Sequence, residues 1–319
     1  MKCDWCPPKV DAEFPPCFQI YPGVNKGANP GNIQHLHYLA SRLKPEFFDG
    51  LVLDYKHRLA PNKIITSNWI LSHNQPAGFR FGGIYVSRIH ENILQTPTIH
   101  ANINPTTMST NVGIVYFPFR CLRIEADLQR AADDAPLQTQ STIEYRGGLS
   151  TLTLDLYNVS AETGRATVSF LRSVSEHLAL GGEWLLEWTE PTSIMTDTAF
   201  AARYKLHDFS LASTISRQGI DVSFWSQVHP KIQMATMWAW QRKTSKSVGT
   251  ICYKWDFEDA YVKGMFDSNL SVGFMYARTV SHLPVSVAMN LLINLHTNRF
   301  IFGLKFSLDP SGLQRDKIH

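Results

Sequence analysis

Apolar side chains recur at every second position along most of this chain, and the two faces so produced stay distinct for strand length after strand length. The plainest instance lies between Leu283 and Leu308. Val285, Val287, Met289, Leu291, Ile293 and Leu295 share one face, against Ser286, Ala288, Asn290, Leu292 and Asn294 on the other. After His296-Thr297-Asn298-Arg299, the residues Phe300, Phe302, Leu304, Phe306 and Leu308 oppose Ile301, Gly303, Lys305 and Ser307. Each arm is long enough to cross a bilayer when tilted, so the stretch reads as the closing hairpin of a membrane β-barrel. A hairpin of a soluble β-sandwich would show the same alternation over shorter arms.

The period of two begins at Phe47 and persists. Leu51, Leu53 and Tyr55 oppose Asp54, Lys56 and Arg58; Leu122, Ile124, Ala126 and Leu128 oppose Arg123, Glu125, Asp127 and Gln129. Leu178, Leu180, Trp184, Leu186 and Trp188 oppose Glu183 and Glu187, while Phe200, Ala202 and Tyr204 oppose Arg203 and Lys205. The alternation weakens around 90–118 and 256–268. Breakers such as Pro105, Pro118, Gly147-Gly148, Pro230 and Asp267-Ser268-Asn269 come often enough to leave room only for short hairpin turns. Residues 47–308 therefore read as one all-β domain. Nineteen strands would take about 14 residues each with their turns, and sixteen or eighteen fit nearly as well. Trp69, Tyr85, Trp184, Trp188, Trp238 and Trp240 fall on apolar faces, as an interfacial girdle would place them.

Upstream the pattern changes. Pro7, Pro8, Pro15, Pro16 and Pro22 mark 1–28 as a flexible tail. In Asn29-Pro30-Gly31-Asn32 either Asn could cap a helix, and Ile33, Leu36, Leu39, Ala40 and Leu43 follow at helical spacing. This predicts an amphipathic helix over Ile33–Lys44 within a segment 29–46, stopped by Pro45. Residues 309–319 form a C-terminal tail.

Composition narrows the classes. The chain has 319 residues and 44% hydrophobic ones. It has no unbroken apolar run long enough for a transmembrane helix, which a barrel does not need because only alternate residues meet lipid. A net charge of +3 without a Lys/Arg block argues against nucleic acid as a partner. The first residues resemble neither a secretory signal nor a presequence. Five cysteines do not suggest a disulfide framework. Cys3 and Cys6 form a CxxC with Cys17 nearby, suited to zinc or a disulfide, but without a second ligand pair no metal site is assigned. There is no GxSxG, HExxH, P-loop or GxGxxG, so neither an enzyme nor a cofactor is expected.

Asn29-Pro30-Gly31, a short helix, and then Phe47-Phe48-Asp49-Gly50-Leu51 opening the first strand resemble the entry into the barrel of the channel-forming subunits of the translocase of the mitochondrial outer membrane. Ile143-Glu144-Tyr145-Arg146-Gly147 and Leu178-Ala179-Leu180-Gly181-Gly182-Glu183 look like middle strands of that family, and Asp267-Ser268-Asn269 looks like the turn before its last three strands. Gly303, Phe306 and Leu308 resemble the sorting signal of mitochondrial barrels, with a departure at Ile301, where a polar residue is usual. The resemblance implies a 19-stranded transmembrane β-barrel in the mitochondrial outer membrane. It also implies a short N-terminal helix inside the lumen, resting on Ile33, Leu36, Leu39 and Leu43, and a tail that reaches the intermembrane space.

The activity it implies is conduction of unfolded precursor polypeptides from cytosol to intermembrane space. The partners implied are the receptor and small helical subunits of the translocase, precursor proteins, outer-membrane lipids, and a second or third copy of the pore. The face opposite the apolar one collects Glu125, Asp127, Glu144, Asp155, Glu183, Glu187 and Asp221 beside Lys56, Arg58, Arg123, Arg146, Arg203, Lys205, Lys263 and Lys305. Singly, each reads as part of a salt-bridged wet lumen; together they suit weak, many-point contact with a basic targeting peptide. The alternatives are a metabolite porin of the voltage-dependent anion channel type, which would carry its helix at the extreme N-terminus, then a bacterial porin, and a soluble β-rich binding module.

Overall fold

The computed structural model describes residues 29–60, 62–72, 78–86, 97–119, 121–131, 136–160, 162–189, 193–280 and 283–309. The tail 1–28 with Cys3, Cys6 and Cys17, and the last residues 310–319, lie outside them.

A 3₁₀ turn at Ile33–His35 and a short helix α1 (Tyr38–Ser41) precede nineteen strands. The first six are β1 (Gly50–Ala60), β2 (Lys63–Leu71), β3 (Gly78–Val86), β4 (Thr98–Asn104), β5 (Ser109–Phe119) and β6 (Leu122–Arg130). There follow β7 (Gln138–Arg146), β8 (Ser150–Tyr157), β9 (Thr163–Ser173), β10 (Leu178–Thr189), β11 (Ile194–Lys205), β12 (Phe209–Ser216) and β13 (Gly219–His229). The wall ends with β14 (Ile232–Gln241), β15 (Lys246–Asp256), β16 (Ala260–Asp267), β17 (Ser271–Thr279), β18 (Val285–Asn294) and β19 (Arg299–Leu308).

Consecutive strands are neighbours, antiparallel wherever their register is given, as in β9–β10 and β18–β19. The first and last strands pair in parallel, Gly50 opposite Gly303 through Tyr55 opposite Leu308, so the sheet closes into a nineteen-stranded barrel. An odd strand number demands this parallel seam: with directions alternating around the wall, strands 1 and 19 point the same way. Packing divides the wall into two units, one built on most of β3 through β10 and one on most of β11 through β19 with the segment from Gln34 to His57.

The strands form for the reason the pattern gives. On β6, Arg123, Glu125 and Asp127 are in register with Glu144, Thr142 and Gln140 of β7, while Leu122 and Ile124 oppose Tyr145 and Ile143. Polar meets polar across the inward pairs, and apolar meets apolar in those two outward pairs, while Ala126 and Leu128 oppose Ser141 and Thr139. The outward face is a belt of exposed apolar side chains, among them Phe200, Phe224, Trp238, Phe274, Phe302 and Phe306, as lipid requires.

Four local expectations are corrected. The helix expected over Ile33–Lys44 is broken into the 3₁₀ turn and one α turn, with hydrogen-bonded turns continuing to Lys44. Helices this short are marginal alone, and the side chain at the N-cap, His37, is committed to the wall instead of capping. Neither does Asn29 cap a helix. Its Oδ1 accepts from Gly31 N and Thr151 Oγ1, both at 2.8 Å, and its Nδ2 donates to Gly147 O at 2.6 Å and Ser150 O at 3.2 Å. The first strand opens at Gly50, three residues later than expected, because Phe47 and Phe48 first cross the inward faces of β17 and β19. Pro118, expected as a breaker, lies inside β5, where the pairing with β6 becomes irregular between Tyr116 and Phe119 and accommodates a residue with no N–H.

Two glycines here leave no room for a side chain, one beneath the crossing and one against β2. A Cβ on Gly303 would lie 2.1 Å from Phe48 O, and one on Gly50, at φ +75°, would lie 2.1 Å from Leu71 O. Gly303 thus has a packing reason to be glycine, whatever reads it during sorting.

Candidate functional site

The inward face is identified by the segment that lies on it. Ala40 and Leu43 pack against Trp225, Ala235, Cys252 and Met265, with Leu39, Phe47, Met237 and Leu292 around them. Leu43 and Cys252 are 0% exposed. These wall residues alternate with the lipid-facing ones along β13 to β16, so the inward side of the second unit is apolar where the segment covers it. His37 fixes the segment laterally, with Nδ1 at 2.7 Å from Ser223 Oγ and Nε2 at 3.0 Å from Thr214 Oγ1. Burial lowers the imidazole pKa from its ordinary value, and the carboxylate of Asp221 opposes that shift.

In the first unit the register carries Arg123, Glu125 and Asp127 of β6, Glu144 and Arg146 of β7, Asp155 of β8, and Glu183 and Glu187 of β10 on one face. Glu144 is 1% exposed and lies between two guanidinium groups, Arg146 Nε at 2.7 Å and Arg123 NH1 at 3.8 Å; Arg123 also pairs with Glu125. Burying a carboxylate is costly unless it is paired and hydrogen-bonded in this way. Asp155 is fully buried and accepts from Thr142 Oγ1 at 2.6 Å. His100 Nε2 lies 3.2 Å from Asp127. Glu183 is half-buried and Glu187 exposed.

In the second unit Lys305 Nζ lies 2.7 Å from Asp54 Oδ2 across the parallel seam, and Asp54 also receives Asn68 from β2 and Ser307 Oγ at 3.5 Å. One carboxylate therefore joins three strands. Lys263 Nζ donates to Arg42 O at 2.8 Å, and Lys254 pairs with Asp256 at 2.6 Å. Arg203 and Lys205 face the lumen beside Ala212 and Ser210, Asp221 faces it beside Thr214, and Lys56 continues the inward series Val52, Asp54. Arg58, two residues on, belongs to the first unit by its packing. The sorting-signal residues divide: Gly303 is inward, while Phe306 and Leu308 face lipid.

Sequence reasoning missed His37, Asn29 and the Asp54 junction. Alternation had placed Asp54 on the polar face, but nothing in the chain announces a partner some 253 positions away. Among the described residues no three His, Cys, Asp or Glu side chains converge to hold a metal ion. What the wall can do is exchange contacts: Glu144, Asp54 and Asp256 are already paired with cations, while Glu187 is exposed, so a passing charged chain finds many shallow partners rather than one deep well.

The eukaryotic porin family model matches residues 29–303. The mitochondrial import receptor subunit TOM40 homologue of Caenorhabditis briggsae is 26% identical over 83% of this chain and 90% of its own length. TOM40 homologue 2 of Drosophila melanogaster is 24% identical, covering 86% and 82%, and the Homo sapiens homologue is 22% identical, covering 88% and 78%. Among solved structures a triple mutant of Rhodopseudomonas blastica porin aligns with a TM-score of 0.46 and 13% identity over 70% of this chain and 94% of that one.

Proposed function

This chain belongs to the eukaryotic porin family, and on that premise we propose that it is the polypeptide-conducting channel of the mitochondrial outer membrane, passing unfolded precursors inward. The observation that carries this reading is a likeness to import subunits that runs the length of the barrel rather than one motif. The mixed-charge inward face supports it. Glu183 and Glu187 are accessible to a basic targeting peptide, whereas Glu144 and Asp155 hold the wall together. The protein works with precursor chains and other translocase subunits, and receptors, small helical subunits and further copies of the pore would dock on the lipid-facing belt. Direction of transport comes from those partners, since the barrel supplies no energy.

Asn29 is held at the β7–β8 turn, where an odd-numbered strand ends. In this reading that turn faces the intermembrane space.

In a planar bilayer, a basic amphipathic presequence peptide should block the current transiently. Glu183→Gln with Glu187→Gln should shorten the block roughly tenfold in low salt while leaving the open current intact. A current that never responds to the peptide, in a channel that passes small phosphate metabolites freely, would reject the import reading in favour of a metabolite porin.

A further inference from the structure

Two adjoining turns at one rim of the second unit carry three cations, and the channel reading gives them no task. They are Arg217 in the β12–β13 turn and Arg242 and Lys243 in the β14–β15 turn, whereas Lys246, the first residue of β15, shares the inward face with Cys252. All three are exposed, and none makes an ion pair among the described residues. The turns are locked together and internally. Arg242 N donates to Gln218 O at 2.8 Å, Thr244 Oγ1 bonds Gln241 Oε1 at 3.3 Å, and the Ser216 hydroxyl accepts from both Gln218 N and Gly219 N at 3.2 Å. These bonds set the two turns side by side, so their cations share one stretch of the rim and would act together on an anionic surface.

We propose that these turns are a docking surface for the phosphate headgroups of anionic phospholipids in the adjoining leaflet. Height favours lipid over a soluble partner. Trp238 and Trp240 lie on the lipid-facing side of β14, and Trp240 is next to the residue that ends the strand. Tryptophan on a lipid-facing strand marks the headgroup level. Arg242 and Lys243 follow it by two and three residues in a tight turn, so they have no length to rise beyond the phosphates. The two rims differ in balance. At the opposite rim of the same unit the β15–β16 turn carries Glu258 and Asp259 and the β11–β12 turn carries Asp208, with Lys231 the cation between them, whereas the cationic rim has Asp267 at the end of β16. The surface rests on the barrel facing lipid and not on what the pore conducts, so a failed import assay leaves it standing.

The test uses the whole channel in phosphatidylcholine vesicles containing a small fraction of phosphatidylglycerol with brominated chains, read by quenching of tryptophan fluorescence. Brominated phosphatidylcholine at the same fraction gives the baseline, and Trp238→Phe with Trp240→Phe assigns the signal. Excess quenching by the anionic lipid should fall as salt rises. The apparent affinity read from it should fall on the order of a hundredfold in R217Q/R242Q/K243Q, given about fivefold for each of three charges near the surface, and persist in K231Q. Unchanged single-channel current in the triple variant shows that it still folds. Equal quenching in wild type and triple variant overturns the proposal. So does a poly-glutamate peptide that binds the wild type in neutral vesicles and not the triple variant, which would reassign the surface to an acidic protein.

Discussion

Leu43→Ala is the most direct test of how the N-terminal segment is held. Leu43 is fully buried against Ala235, Cys252 and Met265, a site where the rigid wall cannot close around a smaller side chain. Removing a buried leucine to this extent costs about 2 to 5 kcal/mol, part transfer and part cavity. The barrel itself is held by its ladder of backbone bonds, so the loss falls on docking of the segment rather than on the wall. Cys252, 0% exposed beneath the same cluster, reports that docking. With Cys252 as the only cysteine, about 3 kcal/mol should raise its alkylation by a small water-soluble reagent on the order of a hundredfold, provided opening precedes reaction. The strand content seen by circular dichroism should not change. Equal alkylation rates in the two proteins would mean that the segment does not cover the wall in solution, and the packing argument would fail with it.

Register and pH supply further checks. Met289 and Leu304 are cross-strand partners near the middle of β18 and β19 on the lipid-facing side, so either residue changed to Arg should cost about 2 to 4 kcal/mol of insertion. Lys305→Gln, on the opposite face, should lose little beyond its contact with Asp54; equal assembly defects in all three variants would refute the assigned faces. Because burial lowers the pKa of His37, the docked state favours neutral imidazole. Its contribution is fully present above the ordinary value of 6.5 and weakens as pH falls below it, as the undocked state takes up the proton first. The wild-type to His37→Gln ratio of Cys252 labelling should therefore rise in acid, and a flat ratio would remove His37 as the lateral anchor.

The strands were legible because the wall has one wet and one greasy side, and most residues on β6 and β18 declare their side by type, Leu292 being an inward apolar residue next to the segment's cluster. Legibility fell where that contrast lapses. β4 is only seven residues long, and β5 carries Gly113 and the irregular stretch around Pro118, which together explain the weak pattern before residue 118. Helical spacing upstream identified side chains that meet the wall, Leu36 and Leu43 among them, but spacing reports contact rather than an unbroken hydrogen-bond ladder. Pairings were beyond reach altogether. Parity can put Asp54 and Lys305 on the polar face; only closure of the sheet brings them to 2.7 Å.

That parallel seam also dictates a timetable. Each strand can pair with the next one in sequence, β1 with β2 included, but the other edge of β1 must wait for β19, and the contacts of Asp54 with Lys305 and Ser307 span nearly the whole chain. Until the last strand exists, two bare edges face outward, each a template for the wrong neighbour. Closure is thus the one pairing that local sequence cannot supply, and both margins stay open to mispairing until it is made. The shorter that interval, the less those edges are exposed to aggregation.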